Sequence, residues 1–441
     1  MKIAAVFIIL LFVLLPLMGF SATGDGTLKG RLQTFISYGL SLTSFLLCLL
    51  TIIMSVYALT SDLDQRQIYT VITKPIRRFQ LVLGKLLGIV LLDIFLLLVF
   101  SAVIYTLTVY TPKFYGAGKE DLTKLQNEFF TARKHLVPAE ADVTEEVKQT
   151  LERLKKDQQL PENVLENETS HQRLVESLTE RLKLSKTAAA IGHEVIWEFY
   201  DVGPLEPNQS IFVRFKYDVS RNPPDLQVYG NWLIGDTRQI RYGTKIETPI
   251  YDFERKDLIR TAQEIEVPAD AIADDGYLSV AFFNPPLNDT IVIFPPGDLS
   301  VLYKADSFTA NFLRAVLLIL LRLIFLACLG TLTATFLSFP VAILCCLVVL
   351  FTGTISGFVL ESFEFMSQDI GRVYSYTIKP IVQLLPAFDK FSPSKFLLSG
   401  ELLSWSLLAR VAALLVCARS VLLALVAVLI FSRKEIAKVI I

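Results

Sequence analysis

Apolar residues in this chain gather into long uninterrupted runs, and the charged residues gather between them. A bilayer core of about 30 Å needs about 20 mostly apolar residues in a helix. Six segments meet that requirement, at about 3–20, 38–60, 83–110, 312–336, 340–360 and 404–431. After Gly192 the period changes. VIWEFYDV, SIFVRFKYDV, LQVYGNWLI, YLSVAFFN, DTIVIFP and LSVLYKA are short, β-branched and aromatic, and are separated by Pro, Gly, Asn and Asp clusters. Strands of that kind predict an antiparallel β-sandwich of jelly-roll type.

Sidedness follows from the stretch between runs two and three. Ser61–Gly88, SDLDQRQIYTVITKPIRRFQLVLGKLLG, carries Arg66, Lys74, Arg77, Arg78 and Lys85. Short loops with that excess of cations stay cytoplasmic. Residues 111–311 are then extracytoplasmic, the tight turn Leu337–Pro340 is inside, and Arg433, Lys434 and Lys438 close an internal tail. The first run, MKIAAVFIILLFVLLPLMGFSA, also has the outline of a secretory signal peptide. Its apolar stretch is longer than the usual signal core, so a retained helix is the preferred reading, and cleavage would reverse no other span.

From Lys119 to about Lys186 the text is charged and helical in period, with a break near Val137–Pro138. Glu152 and Lys156 stand at i,i+4, and Leu151 and Leu154 stand at core spacing. The fold class predicted is a polytopic α-helical membrane protein with six transmembrane helices and a large extracytoplasmic domain, a helical hairpin plus the β-sandwich. Its parts are 1–110 with spans one to three and the cytoplasmic loop 61–82, a helical region 111–190, the β-sandwich 191–307, and 308–441 with spans four to six and a short tail.

Composition narrows the chemistry. The mean hydropathy is +0.50, with 53% hydrophobic residues and a net charge of −1 that argues against a nucleic-acid partner. Cys48, Cys328, Cys345, Cys346 and Cys417 all fall inside apolar runs and have no zinc-site spacing. His135, His171 and His193 are too scattered for a metal site. No Gly-x-Ser-x-Gly, His-Glu-x-x-His or Gly-x-x-x-x-Gly-Lys-Ser/Thr motif is present. Catalytic, metal and cofactor residues are therefore not assigned.

Ionisable groups within spans are costly and are usually paired or functional. Asp93, Arg322 and Arg419 each lie about ten residues from the ends of their runs, ~15 Å deep at 1.5 Å per residue. The expectation is that Asp93 pairs with Arg322 or Arg419, so that Asp93→Asn would destabilise or inactivate the protein. Outside the spans, Trp197, Tyr229, Trp232 and Tyr242 could stack on a sugar ring or could fill the sandwich core.

The basic loop has finer features. Asp62 and Asp64 open it, Ile68, Val71 and Ile72 share one helical face, and Lys74-Pro75 breaks the helix. Thr70, Lys74-Pro75-Ile76, Arg77, Arg78 and Gly84-Lys85 resemble the loop between spans two and three in permeases of ATP-binding-cassette (ABC) transporters of the ABC-2 exporter type. ATFLSFPVAIL at the turn between spans four and five, LLP at Leu384–Pro386 and the terminal FSRKEIA extend the resemblance over the membrane part. It implies an exporter permease of the bacterial cytoplasmic (inner) membrane, forming a homodimer or heterodimer of permeases among membrane lipid. It also implies a separate ABC ATPase subunit that holds the ATP and Mg and receives the loop in a groove. The external insertion is not general in that class, so the resemblance assigns it no role. A second reading is a membrane-anchored scaffold or sensor whose β-sandwich binds an envelope partner or a glycan.

Overall fold

The computed structural model describes residues 2–22, 24, 26–64, 77–116, 118, 122, 125, 126, 129–139, 142–156, 168–204, 209–243, 248–364, 380, 385–389 and 391–433. The chain divides into two compact units, Met1–Ala132 with Ser307–Ile441, and Arg133–Asp306.

The first unit is helical. Its elements are α1 (Lys2–Ser21), α2 (Leu28–Asp64), α3 (Arg78–Phe114), α7 (Phe308–Phe336), α8 (Phe339–Glu364), the short α9 (Pro393–Ser399) and α10 (Trp405–Arg433). Five of these, α2, α3, α7, α8 and α10, are long and apolar enough to cross a membrane. In α1 the described apolar stretch is Ala5–Gly19, so the described residues give five candidate crossings, and the sixth that the hydropathy pattern predicts rests on α1.

The helices outrun their apolar runs. α2 and α3 each have 37 residues, ~55 Å at 1.5 Å per residue, against a hydrocarbon core of about 30 Å. Leu28–Gln33, which lies between the first two apolar runs, is the first stretch of α2. The Ser307 hydroxyl accepts from the Ala310 N–H at 3.3 Å to open α7, and the Ser404 hydroxyl accepts from Leu407 N–H at 3.2 Å to open α10. Pro340 sits in the first turn of α8, where its missing N–H removes no helical bond.

α7 is the centre of this unit. Of its apolar stretch 67% is buried, against 28% for α8 and 22% for α10, so the last two turn broad apolar faces outward. α7 meets α2 closely enough that a β-carbon on Gly330 would collide with Ser55. Between residues 413 and 420 α10 widens into a π-helical segment, Ala413–Ser420, a form that is rare and often sits at functional positions.

The second unit is β-rich. Between its strands β1 (Thr131–Leu136) and β2 (Ala188–Ala189) stand α4 (Thr144–Lys156) and α5 (Glu168–Lys186). There follow β3 (Glu194–Phe199), β4 (Ser210–Phe215), β5 (Asp218–Val219), β6 (Gln227–Gly235), the short α6 (Arg238–Tyr242), β7 (Tyr251–Leu258) and β8 (Gln263–Pro268). The last strands are β9 (Leu278–Phe283), β10 (Val292–Ile293) and β11 (Leu299–Ser307). They form sheets of order β1-β11-β4-β8, β3-β9-β6-β7 and the small β2-β10-β5. Residues of all three sheets meet in one core around Trp232, Phe215, Phe282 and Phe294, with ring centroids 4.2 Å apart for Trp232 and Phe215.

Two sequence readings are corrected here. Thr131–Leu136 lies in the stretch read as helical but is a strand. Its Arg133 is buried with the guanidinium 4.2 Å over the Phe212 ring and 3.9 Å from Glu264. The expected Glu152–Lys156 pair does not form. Instead Glu146 of α4 pairs with Lys186 of α5 at 2.7 Å, beside an apolar seam of Val143, Val147 and Leu151 against Leu174, Val175, Leu178 and Leu182.

Candidate coupling site and membrane cavities

Thr70, Lys74 and Pro75 of the basic loop lie outside the described residues, as do the apolar face at 68, 71 and 72 and the tail beyond Arg433. The two roots of the loop are described. Asp62 and Asp64 close α2, and α3 begins at Arg78. The Arg77 N–H donates to the Gln80 side-chain oxygen at 3.0 Å, and the Gln80 N–H donates back to the Arg77 carbonyl at 2.9 Å. This reciprocal pair fixes where the chain turns into α3.

The roots are tied to the rest of the bundle. Lys85 Nζ donates to the Ala58 carbonyl, joining α3 to α2. Arg78 Nη1 donates to the Ser432 carbonyl at 3.0 Å, joining the start of α3 to the last turn of α10. Just beyond, Leu86 and Ile89 of α3 pack on Ala327 and Cys328 of α7, with Ala58 of α2 and Leu423 of α10 against them. Four helices thus meet at the base of one loop. Among the described residues a β-carbon on Gly84 would touch nothing within 4 Å, so their contacts do not explain that glycine.

The intramembrane charges are placed otherwise than the sequence suggests. Asp93 Oδ1 accepts from the Thr51 hydroxyl at 2.9 Å, and Asp93 Oδ2 is buried without a hydrogen-bond partner. Among the described residues neither Arg322 nor Arg419 forms an ion pair with it, because each faces another neighbour or a cavity. Arg322 donates to the Phe388 carbonyl at 3.0 Å and lies 4.8 Å from that ring's centroid. Arg419 lies in the π-helical segment. The structure brings Arg322 and Arg419 together instead, on the wall of a cavity of about 440 Å³ that Arg410 also lines. Arg410 was not singled out in the sequence because it stands near the start of its run, where a cation reads as an interfacial one. Arg322 also borders a smaller cavity of about 180 Å³ with Ser41, Ser44, Thr354, Ser392 and Ser394.

In the β-rich unit the four aromatic candidates do not form one platform. Trp232 is fully buried and Trp197 is 8% exposed, because both are core residues, and Trp197 packs on Phe294 at 4.8 Å. Tyr229 and Tyr242 are exposed at 40% and 70%, on β6 and α6. Tyr229 lies 4.7 Å from Lys256 Nζ. The edge of Trp197 reaches a cavity of about 480 Å³ that Lys183, Lys186 and Tyr200 also line. His135 is on β1 and His193 lies in the turn before β3, and no cluster of metal-ligating side chains occurs among the described residues. Near α6, Arg238 bridges Asp236 and Asp275, each at 2.8 Å, with its guanidinium 3.8 Å over the Tyr277 ring. These bonds hold the Arg238 pKa above its usual value and the Asp275 carboxyl below the usual carboxylate range.

Fold and site together define a multi-pass membrane protein with a β-rich domain inserted between its membrane helices. The family model described as ABC-2 family transporter protein matches residues 2–123, which supports an ABC-2-type permease. The matched stretch contains α1, α2, the basic loop and α3. No curated protein and no solved structure matches the chain.

Proposed function

We propose that this chain is the permease subunit of an ABC exporter and couples a separate ATPase subunit to movement of a substrate across the cytoplasmic membrane. What carries the proposal is the root of the basic loop. Cations Arg78 and Lys85 tie α3 to α10 and α2, and the adjoining apolar cluster reaches α7. A push on the loop is delivered to four spans at once, which is the physical requirement for converting a soluble partner's closure into helix movement. ABC-2 permeases in general work with an ABC ATPase, and on this reading ATP and Mg are held by that partner.

In the proposed arrangement α1 is a sixth membrane helix, residues 111–311 are extracytoplasmic and the strands form a β-sandwich. The outward faces of α8 and α10 serve contact with lipid or a second permease. The cavity beside Trp197, with two lysines and Tyr200 on its wall, favours an external domain that also holds an envelope ligand. Purifying the protein from native membranes in mild detergent tests the main reading. An ABC ATPase should come with it and be lost from a Lys74→Glu, Arg78→Glu variant that still folds. Recovery of envelope proteins without any ATPase would move the function to the external domain alone.

A further inference from the structure

The cavity between α7 and α10 carries an inference about a ligand. Arg322 and Arg419 are each the central residue of a 29-residue membrane helix, the depth at which an uncompensated charge is most costly. Arg410 joins them on the same wall. Most of the remaining lining is apolar, including Phe388, Phe391 and Leu414.

Among the described residues no carboxylate pairs with any of the three arginines. Arg322 is met by a carbonyl and a ring at Phe388, and Arg410 Nε donates to the Ser406 carbonyl at 3.4 Å. The nearby carboxylate of Asp389 is engaged elsewhere, accepting from the Ser356 hydroxyl at 2.9 Å and the Gly357 N–H at 2.7 Å. Among the described residues the cavity lining holds three cations and no carboxylate, and a low-dielectric wall strengthens the attraction of an anion there.

The backbone around the cavity is irregular in two places. Residues 385–389 carry no regular structure although they pack within the helical unit. At Phe388 both backbone groups are met, the N–H donating to the Gly353 carbonyl of α8 at 2.8 Å and the carbonyl accepting from Arg322. On the other side stands the π-helical segment that holds Arg419. Non-helical backbone within a membrane unit is tolerated where it lines a cavity.

We propose that this cavity binds a phosphate-bearing amphiphile, its phosphate between Arg322, Arg410 and Arg419 and its hydrocarbon chain against Phe391 and Leu414. Guanidinium groups meet phosphate oxygens with short charge-assisted bonds, and the apolar lining suits an acyl chain and not a hydrated free ion. The proposal needs α7 and α10 to lie in a bilayer, and it does not need an ATPase partner. Its test therefore reads separately from co-purification of that subunit.

The full chain is reconstituted with equal amounts of phosphatidylglycerol and the phosphate-free diacylglycerol of the same acyl chains, delipidated, and the retained lipid is counted by native mass spectrometry. Phosphatidylglycerol should be retained roughly tenfold over the diacylglycerol, the order set by one charge-assisted hydrogen bond. Arg322→Gln and Arg419→Gln should each remove most of that preference, while Arg433→Gln, at the exposed end of α10, should keep it. Arg410→Gln, at an exposed position, is the informative variant if the mid-helix variants do not fold. Excess inorganic phosphate should leave retention unchanged. Equal retention of the two lipids, a preference that survives in every folded cavity variant, or displacement by inorganic phosphate would each overturn the proposal.

Discussion

At the residue scale, single polar groups inside the helical unit are held by few partners, and the consequences are large. The Thr51 hydroxyl has one proton and lies 2.8 Å from the Leu47 carbonyl and 2.9 Å from Asp93 Oδ1. Thr51→Val removes the hydroxyl that meets the Asp93 carboxyl and should cost about 1–3 kcal/mol. Thr51→Ser should restore most of it, in thermal unfolding of the detergent-solubilised chain. In the β-rich unit, Asp275 contributes through its bonds to Arg238, which lower its folded pKa. That stability is fully present above the unfolded value near 3.9 and is lost as pH falls through the lower folded value. Asp275→Asn should therefore lower the unfolding midpoint of this unit at neutral pH, and the difference should vanish in strong acid.

At the element scale, the crossing of α2 and α7 is the most constrained contact between membrane helices. Gly330→Ala places a β-carbon against Ser55 and should cost about 1–3 kcal/mol by overpacking. Ser55→Gly in the same chain should recover the loss, so a paired measurement separates the clash from an effect of composition. In the β-rich unit, Trp232→Ala opens the cavity left by a fully buried ring and should cost about 3–5 kcal/mol. The long apolar runs and most aromatic strands were legible in the sequence, because uniform lipid-facing runs and alternating core residues are strong periodic signals. β1 and β7 were not. The buried Arg133 lies over the Phe212 ring, and β7 carries Arg255 and the buried Asp257, paired at 2.8 Å. Charged residues on a packed face defeat a pattern that assigns charge to solvent. β8 alternates Ile265 and Val267 with Glu264 and Glu266, a pattern too short to stand out.

At the scale of the whole molecule, the chain carries a basic loop, a helical unit centred on α7 and an inserted β-rich unit. The basic loop stands out in the sequence by its cations and its Lys74-Pro75 pair, since charge asymmetry and a proline are local properties, and its coupling role is the proposal made above. The partners of the intramembrane charges were not readable. Depth along a helix says that Asp93, Arg322 and Arg419 need company, and only packing decides that Thr51, Phe388 and a shared cavity provide their surroundings. The chemistry of that cavity and the coupling at the loop are separable claims.

The most direct measurement is site-directed cross-linking in a chain whose five cysteines are replaced by alanine. A photo-reactive thiol reagent is attached at Thr70→Cys or, as a control in the β-rich unit, at Tyr242→Cys. Docking of the loop on its partner predicts an adduct between position 70 and an ABC ATPase in native membranes, and none from position 242. No ATPase adduct from position 70 while the partner is present, or an adduct from position 242 alone, would contradict it.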